Sequence, residues 1–377
     1  ISSSVMRVGG TGASSMEAPV PTTLITEEMI RQSGAKNLAE LLCLYVPGMS
    51  IVEGADMNVT VHGAYSLFQE KILVMLNGQR LNSRVSNAES LDYRNSLDKI
   101  KQIEVLRGPA SSLYGNVALT AVVNIITKQG SDVDGIEIKG GVGNNKSYLG
   151  SILFGKRFYD IEFFTWVSGF MSDGERREIN PTTIEDTHAF GEKRGYMYLN
   201  GYNDIPSYDF GAVAKFRHFS FMLSQQRSKK VTPYTNVWWF GNLYDYDRYN
   251  RISGSKPGLD RENLNLSLKY DNQWNNLFAQ FNCFFNRETS SNYSVISDKT
   301  DEVEKAYFDA MILMLGFMPD PDSIYHNAYQ CQQWLSYTFG ASAQLGYNYH
   351  IGRNEGTLLG GLQLESFTLA DSQYMFG

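Results

Sequence analysis

The residues best suited to bind a ligand lie in one aromatic-rich segment, residues 231–251. Rings alternate there with charged residues, and the candidate ligand contacts are Tyr234, Trp238, Trp239, Tyr244, Tyr246 and Arg248. Exposed rings can stack on a catecholate, a haem, a corrin or a sugar, and an arginine can hold carboxylates. The same composition is typical of an aromatic ring at a membrane surface or of a loop that buries its own side chains. The segment therefore predicts ligand binding and leaves these two alternatives open.

A second segment contains soft metal ligands but favours a structural role. Met311, Met314 and Met318 recur at the spacing of one face of a short helix, and His326 and Cys331 follow in the same predicted loop. Methionines at this spacing more often form an apolar helix face than a site for a soft metal ion. We predict no metal site and no cofactor.

The sequence contains no residue pattern that supports catalysis. His188, His218 and His350 are isolated, and no nucleophile triad, paired-carboxylate motif, phosphate loop or nucleotide fingerprint is present. The formal net charge of −7 argues against a protein that binds nucleic acid, which normally has a basic face. We predict no enzymatic activity and no nucleic-acid partner.

Residues 19–130 have the pattern of a small α/β unit. Thr26 and Asn37 are good helix N-caps, Gly34 and Pro47-Gly48 are good helix stops, and two helices are predicted between them. Short strand patterns follow at residues 59–62, 72–76 and 103–106, with a tight turn at Asn77-Gly78. Residues 117–127 are almost continuously apolar, which predicts a strand buried on both faces.

Residues 131–377 alternate between polar and apolar side chains, as strands with one apolar face do. Nine strands are predicted, near residues 136–144, 147–156, 161–172, 208–216, 218–228, 262–271, 277–289, 334–349 and 357–370. After the first hairpin, short connections alternate with the long segments 173–207, 229–261 and 290–333. Short turns at one end and long loops at the other are typical of outer-membrane β-barrels, whereas a soluble sandwich gives no reason for this alternation. No run approaches the ~18 apolar residues of a membrane-spanning helix.

Four ordered blocks resemble the plug domain of TonB-dependent outer-membrane receptors. The most specific is Ile103-Glu104-Val105-Leu106-Arg107-Gly108-Pro109, followed by residues 110–116 and then 122–128. The earlier blocks are residues 23–30, residues 37–49, and the pair 61–63 and 74–81. The resemblance covers most of residues 21–130. The barrel half is matched by its alternating strands and its loop lengths rather than by a sequence motif.

The resemblance implies a fold and a division of the chain. The fold is an α+β plug followed by an antiparallel transmembrane β-barrel, with residues 1–18 as an N-terminal extension, 19–130 as the plug and 131–377 as the N-terminal part of the barrel with long extracellular loops. A plugged barrel of this family has 22 strands, so nine predict an incomplete barrel and a partial chain.

The resemblance also implies a function and several site residues. It implies active transport across the bacterial outer membrane, with TonB as the periplasmic partner, outer-membrane lipid around the barrel, and a ferric siderophore or haem as the cargo. Tyr65 and Phe68 match an apical loop of the plug and become candidate ligand contacts. Glu104 and Arg107 become candidate contacts between plug and barrel wall, and this interpretation is favoured over its alternative, a surface ion pair that contributes little to stability.

The chain departs from the family pattern in two places. His62-Gly63 stands where the family usually has Arg-Gly, which exchanges a permanent cation for a titratable one. No convincing TonB box precedes the plug, and residues 4–8 are the nearest extended apolar stretch. A plugged barrel that serves as a receptor or scaffold for another protein therefore remains an alternative, as does uptake of cobalamin, a glycan or a peptide.

The three cysteines predict no zinc or iron–sulfur framework. Cys43, Cys283 and Cys331 include no C-x-x-C pair, and their odd number leaves at least one thiol free. Cys283 is expected to be a small apolar filler, and Cys331 is expected in a long loop, where it could react or form a disulfide.

Overall fold

The computed structural model describes residues 21–53, 57–64, 69–110, 117–179, 195–232, 256–295, 329–351 and 354–376. Two β-sheets dominate these residues, one with five strands and one with nine. No helix among the described residues is long and apolar enough to cross a membrane.

The N-terminal unit, called the plug below, contains two helices and the five-stranded sheet. Its elements are β1 (Thr22–Thr26), α1 (Glu27–Ser33), α2 (Leu38–Tyr45), β2 (Met49–Glu53), β3 (Met57–Val61), β4 (Ile72–Leu76), β5 (Gln79–Arg80), β6 (Ile100–Arg107) and β7 (Ala121–Thr127). The sheet order is β1-β6-β7-β4-β5, and β2 and β3 form a separate hairpin. Six of the seven residues of β7 are buried, which confirms the predicted two-sided burial for residues 121–127. The predicted strand started at residue 117, but residues 117–120 lie outside the strand and Leu119 is exposed.

Local capping explains both plug helices. The Thr26 hydroxyl accepts a hydrogen bond from the Met29 amide at the start of α1, and Gly34 ends that helix in the left-handed conformation with φ of 68°. At the start of α2, the Asn37 side chain accepts from the Glu40 amide over 2.9 Å, and the Glu40 carboxylate accepts from the Lys36 amide over 2.8 Å. These contacts satisfy amides that would otherwise lack partners at a helix start.

The second unit, called the wall below, is the nine-stranded antiparallel sheet. After a short helix α3 (Gly130–Val133), its strands are β8 (Gly135–Gly143), β9 (Ser147–Phe158), β10 (Ile161–Ser172), β13 (Tyr202–Phe216), β14 (Phe219–Val231), β15 (Gly258–Trp274), β16 (Leu277–Val295), β17 (Tyr329–Ile351) and β18 (Asn354–Phe376). Each strand pairs with its neighbour in chain order, and β8 and β18 form the two edges of the described sheet.

The two faces of the wall differ in chemistry because side chains alternate along each strand. The outer face carries exposed apolar residues such as Ile152, Phe210 and Leu268, which are 52%, 36% and 49% exposed. The inner face packs against the plug and buries residues such as Trp166 and Asp209. This pattern matches a barrel strand with one apolar and one polar side.

The nine strands predicted for residues 131–377 are confirmed, and so are the short turns between them. Tyr159-Asp160, Arg217-His218 and Asn275-Asn276 lie at the same end of the wall. Several strands are longer than predicted, because their polar ends continue the hydrogen-bonded ladder without apolar alternation. A further hairpin, β11 (Glu175–Ile179) with β12 (Gly195–Leu199), lies within the predicted loop 173–207.

We expect Asn37→Ala to lower the free energy of unfolding by about 1 kcal/mol, because it removes the N-cap of α2. Thermal unfolding in detergent solution, followed by circular dichroism, measures the change. Arg31→Ala is the control, since its ion pair with Glu28 is exposed and contributes little. Equal shifts in the two variants would contradict the role assigned to the cap.

Candidate functional site at the plug–wall interface

One wall carboxylate collects three hydrogen bonds at the centre of the interface. Asp209 lies on the inner face of β13 and is fully buried. Its Oδ2 accepts from Lys99 Nζ over 2.6 Å and from the Ser96 amide over 2.8 Å, both in the plug. Its Oδ1 accepts from Trp166 Nε1 on β10 over 2.7 Å. The carboxylate thus joins two wall strands to the plug segment that precedes β6.

Lys99 is the only charged partner among these donors, and it too is fully buried. Its Nζ lies 5.3 Å from the centre of the Trp166 ring, which adds a cation–π contact. Burial lowers the pKa of Lys99, and Asp209 opposes that shift. A buried pair of this kind is tolerated only when its remaining polar atoms are also satisfied, as those of Asp209 are.

A glycine makes room for the tryptophan of this cluster. Gly211 stands opposite Trp166 in the β10–β13 register. A Cβ atom at Gly211 would lie 2.3 Å from Trp166 Cζ2, which is far inside van der Waals contact. The missing side chain therefore lets the indole lie across β13 and place its N–H on Asp209.

A second polar contact is made by the buried plug segment 89–95. Glu89 pairs with Arg94 and accepts from Asn95 Nδ2 over 3.2 Å, and burial raises the pKa of the Glu89 carboxyl. Gln226 of the wall donates to Asn95 Oδ1 over 2.8 Å. Ser228 of the wall donates to Asp92 over 3.2 Å. These bonds fix the segment against β14.

Apolar side chains complete the contact on the same side of the wall. Leu153, Phe164, Trp166, Val213 and Met222 belong to the same buried cluster as the plug core. They lie on β9, β10, β13 and β14, so one hydrophobic core runs from the plug into these four strands.

The two residues predicted as plug–wall contacts lie on β6. Glu104 is fully buried and accepts from Gln102 over 2.9 Å and from Asn124 over 3.3 Å, both within the plug. The Arg107 amide donates to the Pro21 carbonyl over 2.9 Å, and its buried Nε has no hydrogen-bond partner. A contact of Glu104 or Arg107 with the wall stays a prediction.

The predicted ligand contacts are not among the described residues. Tyr65 and Phe68 in the plug, and Tyr234, Trp238, Trp239, Tyr244, Tyr246 and Arg248 beyond β14, all lie outside them, as do Met311, Met314, Met318 and His326. Among the residues that are described, no group of three or more metal-ligating side chains comes together.

The central residues of the interface were missed by sequence reasoning. Asp209 shares its strand face with Gly211 and Val213, so a charge on that otherwise small and apolar face was the available signal. Lys99 directly precedes an apolar strand, which is an ordinary position for an exposed cation. Only the tertiary structure brings together two residues that are 110 positions apart in the chain.

The three cysteines are free thiols. Burial raises the pKa of Cys43 to about 11, so this thiol stays protonated at neutral pH. Cys283 lies exposed on the outer face of β16. The expectation that Cys331 lies in a loop is wrong, because the ladder of β17 starts before it and pairs Cys331 with Tyr293.

Comparison with protein families identifies the N-terminal unit. Residues 14–122 match the TonB-dependent receptor plug domain. A vitamin B12 transporter BtuB of Vibrio vulnificus is 24% identical over 256 residues, which cover 67% of this chain and 36% of that protein. A BtuB of Photobacterium profundum is 33% identical over 129 residues, covering 34% of this chain and 21% of that protein.

Comparison with solved structures shows the same fold. A mutant ferric enterobactin receptor from Pseudomonas aeruginosa aligns with 95% of this chain and 50% of its own, with a TM-score of 0.64 and 17% identity. The ferric-catecholate import receptor Fiu of Escherichia coli aligns with 92% of this chain and 49% of its own, with a TM-score of 0.56 and 15% identity. The chain spans about half the length of these receptors and about a third of the length of the Vibrio relative.

We expect Asp209→Asn to destabilise the protein by about 3–5 kcal/mol at pH 7, because it leaves the Lys99 cation buried without a counterion. The pKa of Lys99 is lowered in the folded protein. In the unfolded protein the pKa of a lysine is about 10.4. At pH values between the lowered pKa and this value, the unfolded state binds more protons than the folded state, so the free energy of unfolding rises with pH. Without Asp209 the pKa of Lys99 falls further. The difference in free energy of unfolding between Asp209→Asn and its parent should therefore become smaller as the pH rises from neutral.

Thermal unfolding at several pH values compares the variant with its parent. Arg217→Gln is the control, because Arg217 and Asp160 form an exposed pair at a turn. This control should show a small loss of stability. A deficit of Asp209→Asn that does not change with pH would argue against a buried Lys99 cation.

Proposed function

The chain belongs to the family of TonB-dependent receptors, and we propose that it forms part of an active transporter of the bacterial outer membrane. In this proposal the plug closes the barrel at rest, an external ligand binds above it, and TonB supplies work from the periplasm. The protein does no chemistry on its cargo.

The observation that carries this proposal is the buried Lys99–Asp209 ion pair, which holds the plug against the wall. A plug held by a buried ion pair and a shared apolar core leaves its place only rarely by thermal motion, because exposing these groups costs several kcal/mol. Frequent passage of a cargo larger than an ion is therefore favoured by an external source of work. A periplasmic partner that pulls on the plug, which is the role that the resemblance implies for TonB, would supply this work.

The proposed location in the outer membrane rests on the outer face of the wall. Phe154, Val167, Phe221 and Leu268 are exposed apolar residues on neighbouring strands. Such a face is costly in water and favourable against lipid chains. Outer-membrane lipid is therefore the proposed surrounding of the wall.

The proposed cargo is a ferric siderophore or haem. The aromatic residues of segment 231–251 suit stacking on a catecholate or a porphyrin, and Arg248 suits a carboxylate. The solved structures that share this fold include receptors described as ferric-catecholate and ferric enterobactin receptors.

Cobalamin is the second candidate cargo, and a specific observation favours it. The Vibrio relative that aligns with 67% of this chain is named a vitamin B12 transporter. A corrin is also a flat, amide-rich ligand that aromatic rings can hold. A plugged barrel that acts as a receptor or scaffold for another protein is the alternative without transport.

Uptake by cells tests the transporter and separates its cargoes. Deletion of the gene is expected to abolish uptake of one of three labelled probes: ferric enterobactin, haem or cyanocobalamin. Dissipation of the proton-motive force should have the same effect, because the proposed work comes from TonB. The full-length receptor should also retain the periplasmic domain of TonB in a pull-down, and a receptor that neither binds TonB nor imports any probe would favour the scaffold.

The double variant Trp238→Ala/Trp239→Ala is expected to weaken binding of the imported probe by about tenfold to a hundredfold, because two stacking surfaces are lost. Titration of the purified receptor with that probe measures the affinity. Trp274→Ala is the matched control, since Trp274 is an exposed residue beside the turn Asn275-Asn276 at the opposite end of the wall. Equal losses in both variants would argue against binding by segment 231–251.

A further inference from the structure

We propose that, among the wall strands that the structure describes, the plug parts from one group of strands and stays in contact with the other, and that the cargo passes through the polar gap that opens there. The side that parts, called the seam below, is the contact of the plug with β15, β16 and β17. The side that stays in contact, called the anchored side, is formed by β9, β10, β13 and β14. This inference deepens the proposed function and rests on it.

The anchored side combines the strongest contacts of the described interface. All wall residues of the shared apolar core lie on its four strands. It also contains the fully buried Lys99–Asp209 pair, with Trp166 as a third partner. Removing the plug from this side would expose the apolar core and strip a charged pair of its partners, and these costs add.

The seam contains isolated polar contacts. Asn263 Nδ2 donates to the Leu81 carbonyl over 3.2 Å, and Gln79 Nε2 lies 3.4 Å from Asn286 Oδ1. Lys269 donates to the Asn77 carbonyl, and Arg261 Nη1 of β15 donates to the Ser90 hydroxyl of the plug over 3.3 Å. Among the described residues, no wall residue of β15, β16 or β17 belongs to the apolar core that the plug shares with the anchored side. Separate hydrogen bonds of this kind can be exchanged for hydrogen bonds to water, whereas an apolar core has no such replacement.

A small polar cavity lies within the seam. It has a volume of about 10 Å³, room for about one water molecule. Its lining includes Asn82 and Arg84 from the plug, and Asn265, Glu288 and Ser336 from the wall.

Several buried polar atoms around this cavity have no hydrogen-bond partner. They are Arg84 Nε and Nη1, Asn263 Oδ1 and Asn265 Nδ2. Water in the cavity, or the polar groups of a passing cargo, can serve as hydrogen-bond partners for these atoms. The anchored side has such atoms too, namely Arg94 Nε and Nη1, Gln226 Oε1 and the hydroxyls of Ser207 and Ser224. The difference between the two sides therefore rests on the shared apolar core and the buried Lys99–Asp209 pair, which belong to the anchored side alone.

The seam lining also indicates the chemical class of the passing molecule. Asparagine, serine and threonine side chains, which donate and accept hydrogen bonds, line the cavity together with the charged residues Arg84, Arg287 and Glu288. Such a surface suits a cargo rich in amide, hydroxyl or carboxylate groups that must be released as it moves. A purely apolar cargo would gain nothing from this lining.

Thiol labelling tests the seam without knowledge of the cargo. Ser336→Cys in the seam and Ser224→Cys on the anchored side form a matched pair, since both serines are nearly fully buried on the inner face and the substitution is nearly isosteric. Each is placed in a full-length receptor whose Cys43, Cys283 and Cys331 have been replaced by alanine. Labelling by a maleimide is followed in urea below the unfolding transition, where it reports local opening.

We expect the thiol at position 336 to be labelled about tenfold faster than the thiol at position 224, because the seam opens at lower cost. Circular dichroism on both variants confirms that they are folded. Equal labelling rates, or faster labelling at position 224, would overturn the inference.

Reversible cross-linking then connects the seam with transport. The pair Gln79→Cys/Asn286→Cys spans the seam, and Asp92→Cys/Ser228→Cys spans the anchored side. Each variant is joined by a short, cleavable bifunctional maleimide, and uptake of labelled ferric enterobactin, haem and cyanocobalamin is compared before and after cleavage. We expect the seam cross-link to reduce uptake about tenfold or more and cleavage to restore it, while the anchored-side cross-link leaves uptake within about twofold of its cleaved form.

Uptake that persists with the seam cross-linked, or that is lost only with the anchored side cross-linked, would overturn the route. Failure of the parent receptor to import any of the three probes would instead contradict the proposed function. The labelling comparison would still decide which side of the plug opens.

Discussion

The fold depends on the burial of one carboxylate between two units of the chain. Asp209 of the wall is removed from water together with Lys99 of the plug, and the desolvation of both charges is offset only when their partners are in place. Trp166 and the Ser96 amide supply the remaining hydrogen bonds. Neither unit could bury its half of this cluster alone, so the plug and the wall stabilise each other as one structure.

The wall meets two different environments, and alternation along its strands satisfies both. Inner positions such as Ser151 and Asp209 face the plug with polar groups, and the adjacent outer positions Ile152 and Phe210 present apolar surface. Because the side-chain period is two, a shift of one residue in any strand register would reverse this arrangement. The paired turns Arg217-His218 and Asn275-Asn276 help to hold the register at one end.

The interface between the plug and the described wall strands is not uniform. Four strands share an apolar core with the plug, while the following three meet it through separate hydrogen bonds and a small polar cavity. A plug that were equally bound on all sides would have to leave as a whole. An uneven interface allows a plug that is closed at rest and can still move. The anchored side holds the plug in position, and the seam opens at lower cost.

The sequence by itself determined the local elements, because their causes are local. The caps Thr26 and Asn37 define the starts of both plug helices, strict alternation identifies the nine wall strands, and the ordered blocks ending at Arg107-Gly108-Pro109 carry the resemblance to a receptor plug domain. The tertiary structure decided what no local pattern records. It placed Cys331 in a strand and added the hairpin β11–β12 within a predicted loop. It buried Glu104 against plug partners, and it joined Lys99 to Asp209 across 110 positions of chain. Which charged residue becomes a desolvated partner depends on where two distant strands come to lie, and that is set by the packing of the whole wall around the plug.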